Sequence, residues 1–353
     1  MKAMNPEKII YPVFLPHAGC PFQCVYCNQG VTVSFGDSEG HIARFVKSHL
    51  ADYANRIRNS GRCGEIAFYG GTFTALPPGL VEEILAAASV FVKEGVFTGV
   101  RFSTRPDCLD TGVIDILSRY PVRTVELGVQ SLSDHVLDKS SRGYDSRTVF
   151  ESAKRVKRKG WQLGVQLMAG LPGDSCELFL ESVRKAMEIG ADFLRFYPVL
   201  VLEGTVLAGR FREGLYAPLS LEEAVAMLAL GYDLALQTGV PIIRMGLQAD
   251  PGLEKPGAVL AGPYHPAFGS LVKSRWWRNR IDARLAPMGE LSGREILISV
   301  APNQVSDAIG NRRDNLRHWQ NKWGVNARVV ADPNSTEVEI SWNKKSLNRD
   351  TLL

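Results

Sequence analysis

The chain has 353 residues, 45% hydrophobic and 22% charged, with a net charge of +4 at pH 7. This is the composition of a globular protein that can bury a sizeable core, as one large barrel or as two or three ordinary domains. Six cysteines in that length are too sparse for a disulfide framework, and no run reaches the roughly 18 apolar residues of a membrane span.

The first stretch, MKAMNPEKIIYPVFLP, has no continuous apolar segment before a small-residue cleavage site, so no signal peptide is expected. A cytoplasmic location is therefore expected, with no membrane partner and with thiols kept reduced. The β-branched and aromatic run IIYPVFLP (9–16), stopped by a proline, predicts a strand. Directly after it, HAGCPFQCVYCNQ (17–29) sets Cys20, Cys24 and Cys27 at C-x3-C-x2-C spacing. Few structures use three thiols in eight residues. A disulfide would leave one over. Zinc could take His17 as a fourth ligand, although zinc sites usually pair two distant C-x2-C knuckles. An iron–sulfur cluster wants thiolates close together on a loop. Three ligands on a cubane leave one iron open, and an open iron can bind and reduce a substrate or cofactor. Cys63, Cys108 and Cys176 lie singly and read as small buried hydrophobes.

Beyond the cysteines the chain repeats apolar strand, turn and amphipathic helix. Strands are predicted over 65–70, 99–104, 123–131, 161–170, 192–201 and 241–248. Strands alternating with helices give a parallel sheet, and serial right-handed crossovers roll it into a full or partial barrel. Ligands of such barrels sit at the C-terminal strand ends, and five motifs fall there. FYGGTF ends one strand; Gly70 and Gly71 let backbone approach a ligand, or simply make a turn. STRPD ends the next; Arg105 offers a carboxylate-binding fork, or pairs with Asp107 at the surface. In VELGVQS, Glu126 and Gln130 could hold hydroxyls, or Glu126 could sit in a barrel-interior ion pair. LMAGLPGD places Gly170 and Gly173 around a turn that could lie over a ring. FYPVLVLEGT offers Tyr197 and Pro198 as an apolar wall, or as core.

In this order, these motifs resemble the radical S-adenosylmethionine superfamily, whose signature C-x3-C-x-aromatic-C is met here with Tyr26 as the aromatic. The last five look most like the barrel of the Elongator catalytic subunit and its stand-alone bacterial relatives. The resemblance spans about residues 9 to 250, and GPYHPAFGSLVKSR (262–275) is similar to the segment after the barrel in those relatives. It implies an α/β fold with a partial (β/α)6-type parallel barrel. It also implies a 4Fe–4S cluster on Cys20, Cys24 and Cys27, with S-adenosyl-L-methionine chelated through its amino and carboxylate groups. Reductive cleavage would give methionine and a 5′-deoxyadenosyl radical, with flavodoxin or ferredoxin as the electron donor. Cofactor contacts are implied for Tyr26, Gly70, Gly71, Thr72, Arg105, Glu126, Gln130, Gly170 and Tyr197. Two features depart from Elongator. The gap between the first two cysteines is the ordinary short one, and about 100 residues come after the barrel, too few for the linking region plus an acetyltransferase domain. Only the radical half carries over.

The remainder reads as a barrel over 1–250, a linking extension packed on it over 251–290, and a small C-terminal α/β domain over 291–353. The last reads strand, helix–turn–helix, strand, strand. AIGNRRDNL falls where a KH domain puts its G-x-x-G clamp, with Gly310, Asn311, Arg312 and Arg313 in the four places and the last glycine missing. Between Phe268 and Arg328, eleven basic residues face five acidic ones, an excess larger than that of the whole chain. Trp276, Trp277 and Trp319 lie among them, either as stacking surfaces for bases or buried against the barrel. Three functions remain open: a radical enzyme modifying tRNA or another RNA, a radical enzyme on a small molecule such as a porphyrinogen, and a non-catalytic metal-cluster RNA-binding protein.

Overall fold

A computed structural model describes residues 9–15, 19–28, 39–247, 253–334 and 339–342. Seven parallel strands form one curled sheet: β1 (Ile10–Phe14), β2 (Gly64–Tyr69), β3 (Phe97–Thr104), β4 (Val122–Gln130), β5 (Gln162–Ala169), β6 (Phe193–Pro198) and, after the two-residue β7 (Val201–Leu202), β8 (Ile242–Met245). Their spatial order is β1-β2-β3-β4-β5-β6-β8, one strand at each of the seven predicted positions, and the sheet does not close, so this is the expected partial barrel. The strand expected over 192–201 is split at Pro198. Proline has no N–H to donate to a ladder, and Val201–Leu202 pair instead with β9 (Val259–Ala261). The expected 241–248 strand is shorter, and Gln248 lies outside the described residues.

Helices cover the convex face. Asp110, Asp145, Ser175 and Ser220 start four of them, each accepting a backbone N–H three residues on. Their apolar stripes meet alternate strand residues: Val13, Ile66, Phe68, Phe102, Val125, Leu163, Val165, Leu167 and Phe196 all lie in one core. The residues between them face the concave side, among them Glu65, Arg101, Glu126 and Arg195. No described helix is long and apolar enough to cross a membrane.

The helix Phe268–Leu285 joins the two parts. Phe268 and Val272 belong to the barrel core, while Trp277, Ile281 and Leu285 belong to a second core. That second core supports a three-stranded sheet, with β10 (Glu295–Val300) between parallel β11 (Asn326–Ala331) and antiparallel β12 (Glu339–Trp342). The helices Val305–Ile309 and Asp314–Trp323 cover it, joined through Gly310–Arg313. The elements therefore come in the expected order. The tryptophans do not serve as stacking surfaces. Trp319 is fully buried and Trp277 nearly so, while Trp276 packs on Tyr232 and donates to Asp233. Their large apolar area is what gives this small domain a core of its own.

Candidate functional site

The cysteine segment crosses the C-terminal strand ends. Val25 pins it there. Val25 is buried with Val136, Leu171, Val199 and Leu207, its N–H donates to the Ser140 carbonyl and its own carbonyl accepts from Leu207. A tight turn brings the Cys27 N–H onto the Cys24 carbonyl at 3.0 Å. Gly19 lets the segment pass close to the second strand end: a side chain there would meet the Thr72 carbonyl at 2.5 Å, and its φ of +77° is left-handed.

The three thiols differ in setting. Cys24 is buried and faces cations. Arg142 donates to its sulfur at 2.9 Å, and Arg105 lies at 3.9 Å. Cys20 is half-buried and shares a 3.3 Å hydrogen bond with Thr72. Burial, reinforced by the neighbouring Cys24 and Cys20, pushes the Cys27 thiol up to about 11. A thiol raised in this way resists ionising unless a cation holds it as a thiolate, and the donors around Cys24 suit an anionic sulfur. This donor set fits an iron–sulfur cluster. Among the described residues, no three His, Cys, Asp or Glu side chains converge on a single metal-ion position. A cubane binds its ligands on different irons and needs them further apart. His17, the other zinc ligand considered, lies outside the described residues.

The remaining residues expected at the site divide into two groups. Tyr26, Gly70, Gly71, Thr72, Arg105, Gln130 and Gly170 lie at the strand ends with the cysteines. Arg142 donates to the Tyr26 hydroxyl at 3.1 Å, and burial pushes that phenol well up. Gly70 turns at φ +100° against the Leu15 backbone, and Gly71 follows it directly after the β2 strand end. Arg105 is buried, with its fork on both oxygens of Asp107 at 2.9 Å and its face between Phe22 and Tyr144. Gln130, at a left-handed φ of 70°, accepts from Gln166 at 3.1 Å. The Gly170 N–H donates to Asp174, whose carboxyl burial raises to about 6.

Glu126 belongs to the second group, deeper in the concave face, and Tyr197, near the C-terminal end of its strand, joins that group through Arg195. Glu126 accepts from Arg101 at 2.9 Å, Arg195 at 2.5 Å and the Tyr69 hydroxyl at 2.6 Å. Arg101 also holds Glu65, and Arg195 donates to Tyr197. Burial alone would raise the Glu126 carboxyl, but Arg195, Arg101 and the hydrogen bonds from Tyr69 and Arg195 outweigh it and hold it below its usual value. Of the two readings of Glu126, the structure shows the interior ion pair.

Arg142 is a site residue that the motifs do not include. It is 4% exposed, and besides Cys24 and Tyr26 it donates to the Gly128 carbonyl and to Tyr144. Its only signal in the sequence is an arginine in a loop, SSRGY, the commonest place for a solvated one.

A curled parallel half-barrel with a three-thiol loop across its C-terminal ends defines a class, and the comparisons with known proteins agree with it. A radical SAM superfamily model matches residues 14–186, and a Radical_SAM C-terminal domain model matches residues 191–278. The chain belongs to the radical SAM superfamily. Within it, the barrel is consistent with an Elongator-like one. Elongator complex protein 3 of Bos taurus is 28% identical over 274 residues, 64% of this chain and 50% of that protein. The heme chaperone HemW of Lactococcus lactis is 24% identical over 237 residues, 67% of this chain and 61% of that protein. The structure of the archaeal Methanocaldococcus infernus Elp3 with an N-terminal deletion overlays with a TM-score of 0.58 at 19% identity, covering 78% of this chain and 63% of that one. The chain thus spans only part of the length of these relatives.

Proposed function

We propose that the protein is a radical S-adenosylmethionine enzyme acting on tRNA or another RNA, with a 4Fe–4S cluster held by Cys20, Cys24 and Cys27. The observation that carries this is the placement of three thiols, one facing two guanidinium groups, at the open end of the half-barrel. When bound, the cluster supplies an electron that splits S-adenosylmethionine to methionine and a 5′-deoxyadenosyl radical, which takes hydrogen from substrate. The protein's part is to hold, orient and exclude water. In this reading, Gly70, Gly71 and Thr72 meet the methionine amine. Arg105 meets its carboxylate, exchanging Asp107 for it, since its fork already fits one carboxylate. Gln130 meets the ribose, and Gly170 and Tyr197 flank the adenine. Arg142 and Tyr26 keep Cys24 in place. Flavodoxin or ferredoxin supplies the electron. The basic C-terminal domain, read as a degenerate KH-like module, meets the RNA backbone.

Anaerobic reconstitution tests the cluster. About four irons per chain are expected. Changing any one of Cys20, Cys24 and Cys27 to Ala should end cleavage of S-adenosylmethionine to 5′-deoxyadenosine under dithionite. Changing Cys63, Cys108 or Cys176 should not. Stoichiometric zinc without iron would overturn the reading. Comparison of tRNA nucleosides from a deletion strain and its parent, by mass spectrometry, tests the substrate: one modified nucleoside should be missing.

A second reading has one observation in its favour, the similarity to a heme chaperone. There the substrate is a tetrapyrrole, and the basic face binds its carboxylates. Affinity for bulk tRNA with a steep salt dependence separates the two.

A further inference from the structure

On β1, Val13 points to the helices and is fully buried. Alternation turns the next residue, Phe14, to the concave face, where it is 52% exposed. A large aromatic left open inside a half-barrel is unusual, because nothing in the fold requires it there. It sits opposite Tyr69 in register, with ring centroids 6.1 Å apart. The curl of the sheet then brings the far side within reach: the Arg195 guanidinium of β6 lies 5.4 Å over the Tyr69 ring and 5.3 Å over the Tyr197 ring. Arg195 pairs across the ladder with Arg244 of β8, the opposite edge strand. Phe14, Tyr69, Arg195, Tyr197 and Arg244 therefore form one strip across the concave face, from edge to edge.

The charges on this strip do not cancel. Glu65 and Glu126 are matched by Arg101 and Arg195. Arg244 is left over; among the described residues no carboxylate pairs with it, and its Nε donates only to the Gly246 carbonyl, at a long 3.4 Å. The buried Nε of Arg195 has no acceptor among the described residues either. The strip thus offers an open aromatic ring at one edge and surplus guanidinium donors at the other.

We propose that this strip seats one nucleotide of the RNA substrate, with the base against Phe14 and the phosphate toward Arg244. A nucleotide is a ligand that joins a planar ring to an oxyanion, and base–aromatic stacking is tolerant of sequence. The proposal rests on the RNA reading above and gives it a location.

The test uses the reconstituted full chain, compared at equal iron content, with ribonucleoside 5′-monophosphates and bulk tRNA as probes. Phe14→Ala and Arg244→Gln should each weaken nucleotide binding about tenfold, the scale of one stacking or charge-assisted contact. Phe14→Trp should restore it. Arg244→Gln should also flatten the salt dependence of tRNA binding by about 0.7 in slope, whereas Phe14→Ala should leave the slope alone. Leu215→Ser, at an exposed side chain outside the barrel interior, is the control and should change nothing. Unchanged nucleotide binding in both variants, with tRNA affinity intact in the wild type, would overturn the strip and leave the RNA reading standing. No tRNA affinity in the wild type would overturn both. Loss of coproporphyrin binding in the same two variants, without loss of nucleotide binding, would overturn the nucleotide in favour of a tetrapyrrole.

Discussion

The buried network of Glu65, Arg101, Glu126 and Arg195 in the half-barrel and the surface of the C-terminal domain both carry charges, and they dispose of them in different ways. In the barrel, Glu65, Arg101 and Glu126 are almost wholly buried, and each touches an opposite charge. In the C-terminal domain some cations pair at the surface, Arg317 with Asp314 and Lys322 with Asp282, and the remaining basic excess lies outside a core built from Trp277, Trp319, Ile296 and Ile298. Arg312 and Arg313 are exposed on the loop between its helices. Buried, balanced charge fixes a shape; exposed, unbalanced charge is free to meet a partner. The same residue types thus serve two purposes, and burial decides which.

The contrast would break most visibly at Glu126. Glu126→Leu leaves Arg101 and Arg195 facing each other without their shared carboxylate. Removing one partner of a buried ion pair typically costs about 3–5 kcal/mol. The urea midpoint should fall accordingly, and a loss under about 1 kcal/mol would mean that the barrel charges do not fix its shape. The pH dependence adds a second check. The folded state holds Glu126 below its usual value. Its contribution is therefore present above about pH 4.3, the unfolded value, and is lost as pH falls through the lower folded value. Glu126→Gln should remove that part of the acid sensitivity.

In the C-terminal domain the equivalent blow falls on an apolar residue. Trp319→Ala empties a fully buried site, and a large-to-small change of this kind costs about 3–5 kcal/mol. The loss should appear as proteolysis or hydrogen exchange confined to residues beyond about 290, with the barrel still protected. Full retention of tRNA affinity by a folded variant would fit a buried tryptophan. A variant that folds normally but loses stacking on bases would reverse that assignment.

At the barrel mouth the effects are smaller and concern binding. Arg105→Ala should weaken S-adenosylmethionine binding by about 1.5–3 kcal/mol, the scale of a charge-assisted hydrogen bond. Wild-type affinity in this variant would mean that Arg105 serves only Asp107, Cys24 and the Arg142 carbonyl, and that the carboxylate is held elsewhere.

Legibility in the sequence divides along the same line. Spacing was legible: C-x3-C-x2-C and the strand-end glycines occupy fixed places along the chain, and the strand–helix alternation implied the parallel sheet. Partners across the barrel were not legible. Arg101 and Arg195 look like solvent-facing residues of an alternating strand until the sheet curls and encloses them with Glu126. Arg142 comes from a loop after the fourth strand, and only the fold brings it to Cys24. The tryptophans were ambiguous for a related reason, since basic neighbours in sequence say nothing of which way a ring points.

The smallest change in stability should come from the C-terminal loop, and it tests the other half of the contrast. Arg312 and Arg313 stand at φ values of 49° and 63°. That is the left-handed region glycine prefers, and it costs a side-chain-bearing residue about 1–2 kcal/mol. Arg313 takes the place of the missing clamp glycine and adopts the kind of backbone a glycine would. Arg312→Glu with Arg313→Glu keeps that conformation and reverses two exposed charges. Surface changes of this sort typically move stability by less than about 0.5 kcal/mol each. The iron content should stay as it was, because the cysteines lie in the barrel. The tRNA affinity should fall, and the salt slope should flatten by roughly 0.7–0.9 for each phosphate that is no longer neutralised. If the loop meets no RNA, the double variant will bind tRNA like the wild type with an unchanged slope, and the excess charge of this domain will need another partner.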